Sequence, residues 1–268
     1  MNSVGFIGGG NIATALISGL RQQAADMTVM VFDPNPAATQ KLVASQQVLM
    51  ASSNKALTEQ CDVIVLAVKP KIIDMVCKDI ATVVSNQTLI ISLAAGTRVD
   101  TVSAYFENAV AVVRAMPNTP AAIQQGITAL FANTDATIDQ RQQAELIMSA
   151  VGQVLWLEDE NQMDVVTAIS GSGPAYVFWL MENMLRSAKE LGLNEQHAQQ
   201  LVLHTAAGAA AMPMQQQIEP ESLRKAVTSP GGTTEAALNY LNSHQAADTF
   251  RQAIHAAFRR SQELGKKE

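Results

Sequence analysis

The sequence predicts an α/β domain built on a doubly wound, mostly parallel sheet, followed by an all-α domain. Three observations carry this. Short β-branched runs alternate with helical stretches up to residue 159; a glycine turn, Gly8-Gly9-Gly10, stands between the first run and the first helix; and after the acidic turn Glu158-Asp159-Glu160 the strand pattern stops. Strand–helix alternation implies βαβ units and parallel pairing. Residues 1–159 are therefore expected to form the first domain and 160–268 the second.

Taken in order, Val4–Ile7, Thr28–Phe32, Val63–Val68, Leu89–Leu93, Val110–Arg114 and Thr128–Phe131 read as buried strands. Each is short, apolar and bounded by Gly, Pro, Asn, Asp or a polar turn. Asn11–Ala24 and Ala136–Val151 carry helical patterns, and Val154–Leu157 reads as a closing strand. From Met163 onward Ala, Leu, Met and Gln dominate, with Ala198, Leu201, Val202, Thr205 and Ala209 on one helical face. Faces of small residues let helices pack closely. The apolar, alanine-rich stretch Thr205–Met214 is too short for the ~20 residues of a membrane span and reads as a packed helix. The tail Gly265-Lys266-Lys267-Glu268 reads as a frayed, solvated end.

Composition narrows the function classes. The chain has 268 residues, 48% hydrophobic and 16% charged, enough for a sizeable core and unlike a disordered tail protein. A net charge of -6 lacks the basic face that nucleic acid requires. Two cysteines, Cys61 and Cys77, are too few for a disulfide scaffold or a zinc cluster, and fit a reducing compartment. Met1-Asn2-Ser3 runs straight into an apolar strand without a basic or long apolar leader, so a cytoplasmic location is expected. All four histidines, His197, His204, His244 and His255, fall in the last third. His197 and His204 share a helix face without a carboxylate or cysteine at ligand spacing, so no metal site is expected.

The motifs point to a dinucleotide. Gly8-Gly9-Gly10-Asn11-Ile12-Ala13 follows the strand ending at Ile7 and opens a helix, the G-x-G-x-x-A arrangement. Gly8 permits the turn, Gly10 lets the backbone approach a pyrophosphate, and Ala13 lets helix and strand pack closely. The unpaired N–H groups of the helix start face the phosphates. Asp33, ending the second strand, is placed to accept from a ribose 2′-hydroxyl, which favours NAD; Asn35 and Asn54 could instead donate to the 2′-phosphate of NADP, and only Lys41 is a nearby cation. Ala67-Val68-Lys69-Pro70 and Ala94-Ala95-Gly96 end two further strands, where such folds place their ligand crevice. Lys69 suits a phosphate or a carboxylate. Met116-Pro117-Asn118-Thr119-Pro120 is a rigid turn aimed at the same crevice, against the nicotinamide.

Two stretches stand out in the second half. Ser170-Gly171-Ser172-Gly173-Pro174-Ala175-Tyr176 interrupts a helical pattern. Glycines there cost roughly 1 kcal/mol each and proline ~3, which a close approach to a partner helix or a ligand offsets. Val227-Thr228-Ser229-Pro230-Gly231-Gly232-Thr233-Thr234-Glu235 is a loop that starts a helix, whose free N–H groups suit an anion such as a substrate carboxylate.

Together, in this order and spacing, these motifs resemble the pyrroline-5-carboxylate reductase family over the whole chain. The glycine turn is shared by many dehydrogenases. The stretch Ser229–Thr234 behind Pro220, Leu223 and Val227 is specific, with Thr233 standing where some relatives carry alanine. The resemblance implies a Rossmann domain followed by a helical domain that interlocks two subunits, giving a homodimer or larger homo-oligomer with the active site at the dimer interface. It implies reduction of 1-pyrroline-5-carboxylate to L-proline with NAD(P)H, commonly NADPH, NADH being the alternative. Ser229, Gly231, Gly232, Thr233 and Thr234 are then the substrate residues, with backbone N–H groups on the carboxylate and the Thr234 hydroxyl on the ring nitrogen. Ile7 to Ile12, Asp33, Asn35, Asn54, Ala67 to Pro70, Ala94 to Gly96 and Met116 to Asn118 are the cofactor residues. A β-hydroxyacid dehydrogenase would need a lysine base on the helix after the second glycine turn, and Tyr176–Met184 contains none. A non-catalytic dinucleotide-binding regulator would have no use for Ser229–Thr234.

Overall fold

The computed structural model describes residues 3–265, with only the backbone described at Lys41 and Ser45. Lys266, Lys267 and Glu268, expected as a frayed end, lie outside the described residues.

Eight strands form one sheet: β1 (Ser3–Ile7), β2 (Thr28–Phe32), β3 (Leu49–Met50), β4 (Val63–Leu66), β5 (Leu89–Ser92), β6 (Ala111–Met116), β7 (Gly126–Ala132) and β8 (Gly152–Trp156). Their order is β3-β2-β1-β4-β5-β6-β7-β8. Every neighbouring pair is parallel except β6 and β7. The first six strands thus lie in the order 3-2-1-4-5-6 of a doubly wound dinucleotide fold, with its switch point between β1 and β4. Helices cover both faces: α1 (Asn11–Gln23), α2 (Pro36–Gln46), α3 (Asn54–Thr58), α4 (Ile73–Ile80), α5 (Val99–Ser103) and α6 (Ile138–Ser149).

Alternate strand residues enter opposite cores, because side chains of a strand point to alternate faces. Val4, Phe6, Val63, Val65, Leu89, Ile91 and Val113 join one cluster; Ile7, Ile64, Leu66, Ile90 and Val112 join the other. Burial on both faces is why these strands read as continuous apolar runs rather than alternating ones.

The strand limits differ from the sequence expectation in instructive ways. The run starting at Val63 leaves the ladder at Leu66, and Pro70 opens a 3₁₀ turn, Pro70–Ile72. The run at Val110 begins one residue later and continues to Met116, paired with β7. β3 was not expected. Two exposed residues at the sheet edge carry no periodic signal.

The chain divides into two compact units, Met1–Ser172 with Ala257–Glu268, and Gly173–Ala256. The strands end near the expected position, yet α7 (Gln162–Val166) and the π-helical turn Thr167–Gly171 cluster with the first unit. Burial explains this: Glu160 is enclosed as an ion-pair partner, and Met163 and Ala168 are in the core. The end of α12 (Ala246–Gly265) belongs there too, with the Ser261 hydroxyl donating to Asp164 at 2.6 Å.

The second unit holds α8 (Gly173–Glu190), α9 (Glu195–Gln216), α10 (Pro220–Ala226), α11 (Thr233–Ser243) and the first part of α12. α8, α10 and α11 bury no residue, and of the expected α9 face only Ala198 and Val202 are buried. Leu201, Thr205 and Ala209 are exposed, as is most of the stretch 205–214. Within one chain these faces are uncovered. No described helix is long and apolar enough to cross a membrane.

Candidate active site

The ends of β1, β4, β5 and β6 lie side by side, so the turns that follow them form one rim. Gly8, with φ +104°, lies in the left-handed region, and a Cβ there would approach the Ala67 carbonyl oxygen to 2.6 Å. Around Gly10 a Cβ would meet nothing within 4 Å, so the backbone is open to a ligand. Gly10 caps α1 without a side chain, and the first helical bond runs from the Thr14 N–H to the Gly10 carbonyl. The N–H groups of Asn11, Ile12 and Ala13 precede that bond and carry the positive end of the helix. Ile7 does not line the rim with its side chain. It is 2% exposed in the core, and its carbonyl accepts from the Ala67 N–H.

Asp33 is bound to its own surroundings. One carboxylate oxygen accepts from the Gly9 N–H and the other from the Asn35 N–H, both at 2.8 Å. The acid therefore pins the glycine turn to the end of β2. Asn35 caps α2 by accepting from the Ala37 N–H, which leaves its amide nitrogen as the outward donor. Asn54 differs from expectation: its amide nitrogen donates to Asp79 at 3.0 Å, and its carbonyl oxygen is buried without a partner. The orphaned atom of Asn54 is an enclosed acceptor, which does not pair with a phosphate, itself an acceptor.

Ala67 and Val68 are half-buried and Lys69 is exposed. Lys69, Pro70 and Gly96 face, with Leu264, a cleft of about 740 Å³. Ala94 is buried, and Gly96, with φ +78°, is covered by the end of α12; a Cβ there would press on the backbone of Leu264 and Gly265. Of this turn, Ala95 is the half-buried residue. Met116, Pro117 and Asn118 are half-buried at the rim. The Asn118 carbonyl accepts from the Ile127 N–H at 3.0 Å and its amide nitrogen donates to Ser170 at 3.3 Å.

Sequence reasoning missed the group beneath this rim. Glu160 accepts from Arg114 at 3.0 Å and from the Val99 N–H at 2.9 Å, and its second oxygen lies 3.4 Å from Arg98. One buried carboxylate so ties β6, the turn after β5 and the entry to α7. The available signal was a lone arginine inside an apolar strand.

The other expected site is the start of α11. Gly231, with φ +71°, turns the chain, and its N–H donates to the Glu235 carboxylate at 2.8 Å. The Gly232 N–H donates to the Ser229 carbonyl at 3.0 Å. These two glycines therefore build the loop, and their N–H groups are not open to a ligand. The first helical bond is from Ala236 to Gly232, leaving the N–H groups of Thr233 and Thr234 at the uncapped helix start. Both threonine hydroxyls are without a partner among the described residues, and Thr234 is the more enclosed of the two. Among the described residues no cluster of His, Cys, Asp and Glu could hold a metal.

Residues 160–264 match the model described as pyrroline-5-carboxylate reductase dimerisation, and residues 3–96 the model described as NADP oxidoreductase, coenzyme F420-dependent. The chain is 42% identical to the pyrroline-5-carboxylate reductase of Pseudomonas aeruginosa, over 97% of this chain and 96% of the relative. It is 38% identical to a solved pyrroline-5-carboxylate reductase of Coxiella burnetii, covering 98% of both chains with a TM-score of 0.91. A Plasmodium falciparum pyrroline carboxylate reductase solved with NADP bound is 27% identical, with a TM-score of 0.88 over 98% of both chains. On these matches the chain belongs to the pyrroline-5-carboxylate reductase family.

Proposed function

We propose that the rim and the α11 start divide the work of reducing 1-pyrroline-5-carboxylate to L-proline. The observation that carries this is the pair of open N–H groups at Thr233 and Thr234 beside a free hydroxyl, on a loop whose glycines are already spent on its own shape.

The residues of the rim fit a nicotinamide dinucleotide. Gly8 leaves no space for a side chain, Gly10 leaves the backbone open, and α1 begins uncapped. That group, when bound, supplies hydride. The chain's own task is positioning, because a protonated imine is already electrophilic. The N–H groups of Thr233 and Thr234 hold the substrate carboxylate at the positive end of α11. The Thr234 hydroxyl accepts from the protonated ring nitrogen and fixes which face of the imine is presented. Met116, Pro117 and Asn118 wall the nicotinamide. Nothing in this division needs a histidine.

For the cofactor we favour NADPH, with NADH as a second substrate. The Asp33 carboxylate is engaged by two backbone N–H groups of the chain itself rather than left for a ribose hydroxyl, and the Asn35 amide nitrogen beside it has no partner among the described residues. The solved relative that holds NADP supports the same choice. Two buried cysteines outside any disulfide fit a reducing compartment, and we place the enzyme in the cytoplasm. The test is loss of reduced-nicotinamide absorbance with 1-pyrroline-5-carboxylate set against several 2- and 3-hydroxy acids in the reverse direction. Turnover of hydroxy acids alone would overturn the reading. Asn35→Ala is expected to lower kcat/KM for NADPH several-fold and leave that for NADH unchanged; equal effects on both would remove Asn35 from phosphate recognition.

A further inference from the structure

The glycine-rich stretch starting at Ser170 has no part in the division above, yet it lies against the rim. The π-helical turn Thr167–Gly171 closes with a bond from the Ser172 N–H to the Thr167 carbonyl at 2.8 Å, one residue wider than an α-turn. Such single wide turns re-aim side chains and recur at functional sites. At Gly171 a Cβ would come within 2.5 Å of the Met116 methyl, so the turn lies directly on the rim.

The hydrogen bonds fix the direction of the Ser170 hydroxyl. The Ile127 N–H can only donate, so the atom of Asn118 facing it is the carbonyl oxygen. The other end of that amide is then NH₂, and it donates to the Ser170 oxygen. Ser170 therefore receives from Asn118 and keeps its own proton to give. Its neighbour Thr167 returns its hydroxyl to the Met163 carbonyl, whereas no acceptor for Ser170 occurs among the described residues. A donor held in this way beside Met116 waits for an acceptor.

In a sheet of order 3-2-1-4-5-6 the adenosine lies toward β2 and the nicotinamide toward β4, β5 and β6. Met116 ends β6, and Pro117 and Asn118 follow it. We propose that the Ser170 hydroxyl donates a hydrogen bond to the carboxamide oxygen of the nicotinamide, with Asn118 as the positioning residue that keeps it a donor. The inference rests on the assignment of the rim as the dinucleotide site.

The test is equilibrium binding by calorimetry without substrate, for the wild type and Ser170→Ala, with NADPH and with its thionicotinamide analogue, whose C=S accepts hydrogen bonds poorly. A net hydrogen bond contributes about 1 kcal/mol, or roughly fivefold in Kd. The wild type is expected to prefer NADPH by roughly that factor, and Ser170→Ala to lose the preference. Ser170→Cys, with a weak donor of similar shape, is expected to lie between them and serves if the alanine variant does not fold. A preference that is equal in wild type and variants overturns the contact. Failure of the wild type to bind NADPH at all would instead overturn the assignment of the rim.

Discussion

In the proposed division of work Thr234 carries the most, since it combines an N–H at the uncapped start of α11 with a hydroxyl that has no partner among the described residues. Thr234→Ala is expected to lower turnover at least tenfold, on the order of the 10²-fold that misplacement of a reacting group costs, with cofactor affinity nearly intact. Steady-state kinetics beside cofactor titration separate the two, and unchanged turnover would show that the hydroxyl does not hold the ring nitrogen. The loop was legible in the sequence as the start of a helix, but the allocation of its donors was not. Glu235 four residues beyond Gly231 takes one N–H and the Ser229 carbonyl another, and such pairings depend on the loop's backbone angles. Asp33 is a similar case. Its place at the end of β2 could be read, whereas its two bonds to Gly9 and Asn35 follow from the glycine turn folding over it. Cys61 carries a prediction of a different kind. Burial, with Asp62 beside it, pushes its thiol up to about 12, so at pH 8 it stays protonated. Iodoacetamide at that pH is expected to leave Cys61 unmodified in the native protein and to label it in urea, as mass spectrometry would record; rapid native labelling would contradict the burial.

At the scale of elements, long apolar strands were legible because two buried faces leave a continuous signal, while β3 and the π-turn were not. Two residues are too few to show a period, and a single extra residue in a helix shifts its face without changing composition. Glu160 was read only as part of an acidic turn, since what makes it structural is its distance in space from Arg114 on β6. That pair is 5% exposed on each side, so Glu160→Gln would leave the guanidinium buried without a counter-charge. Breaking a buried pair in this way costs about 3 kcal/mol, to be read from the urea midpoint. A midpoint unmoved would mean that Arg98 and Val99 do not depend on it. Gly19 of α1 sets two effects against each other. Alanine in a helix is favoured over glycine by about 1 kcal/mol. Its Cβ, however, would fall on the carbonyl oxygen of Ala150, a backbone atom that cannot swing aside as a side chain would. Overpacking costs about 1–3 kcal/mol, so Gly19→Ala is expected to destabilise overall, and a raised Tm would show that α1 can shift away from that oxygen.

For the whole molecule the deciding feature is α8. Val177, Phe178, Trp179 and Leu180 are consecutive, and at 100° per residue they place apolar side chains around nearly the full circumference of the helix. A helical turn apolar on all sides calls for cover on all sides. Yet α8 buries none of its 18 residues in the single chain, and Phe178 and Trp179 are each 60% exposed. Exposed apolar surface of this extent on a folded protein marks an interface. The match of residues 160–264 to a dimerisation domain supports a further copy of the chain as the expected cover. The sequence alone hinted at this through the small-residue face of α9, only part of which the chain buries for itself. A stable obligate interface typically buries upwards of about 2,000 Å², in which a central tryptophan is often among the residues that matter most. Light scattering at micromolar concentration is therefore expected to give the mass of a dimer or a larger assembly, and Trp179→Glu to give a monomer with much-reduced turnover. Since Trp179 is so exposed in the single chain, its substitution should disturb the isolated subunit little, and an intact sheet core by circular dichroism would assign the loss to assembly. A wild type of monomeric mass would mean that α8 stays in water uncovered, which its composition opposes.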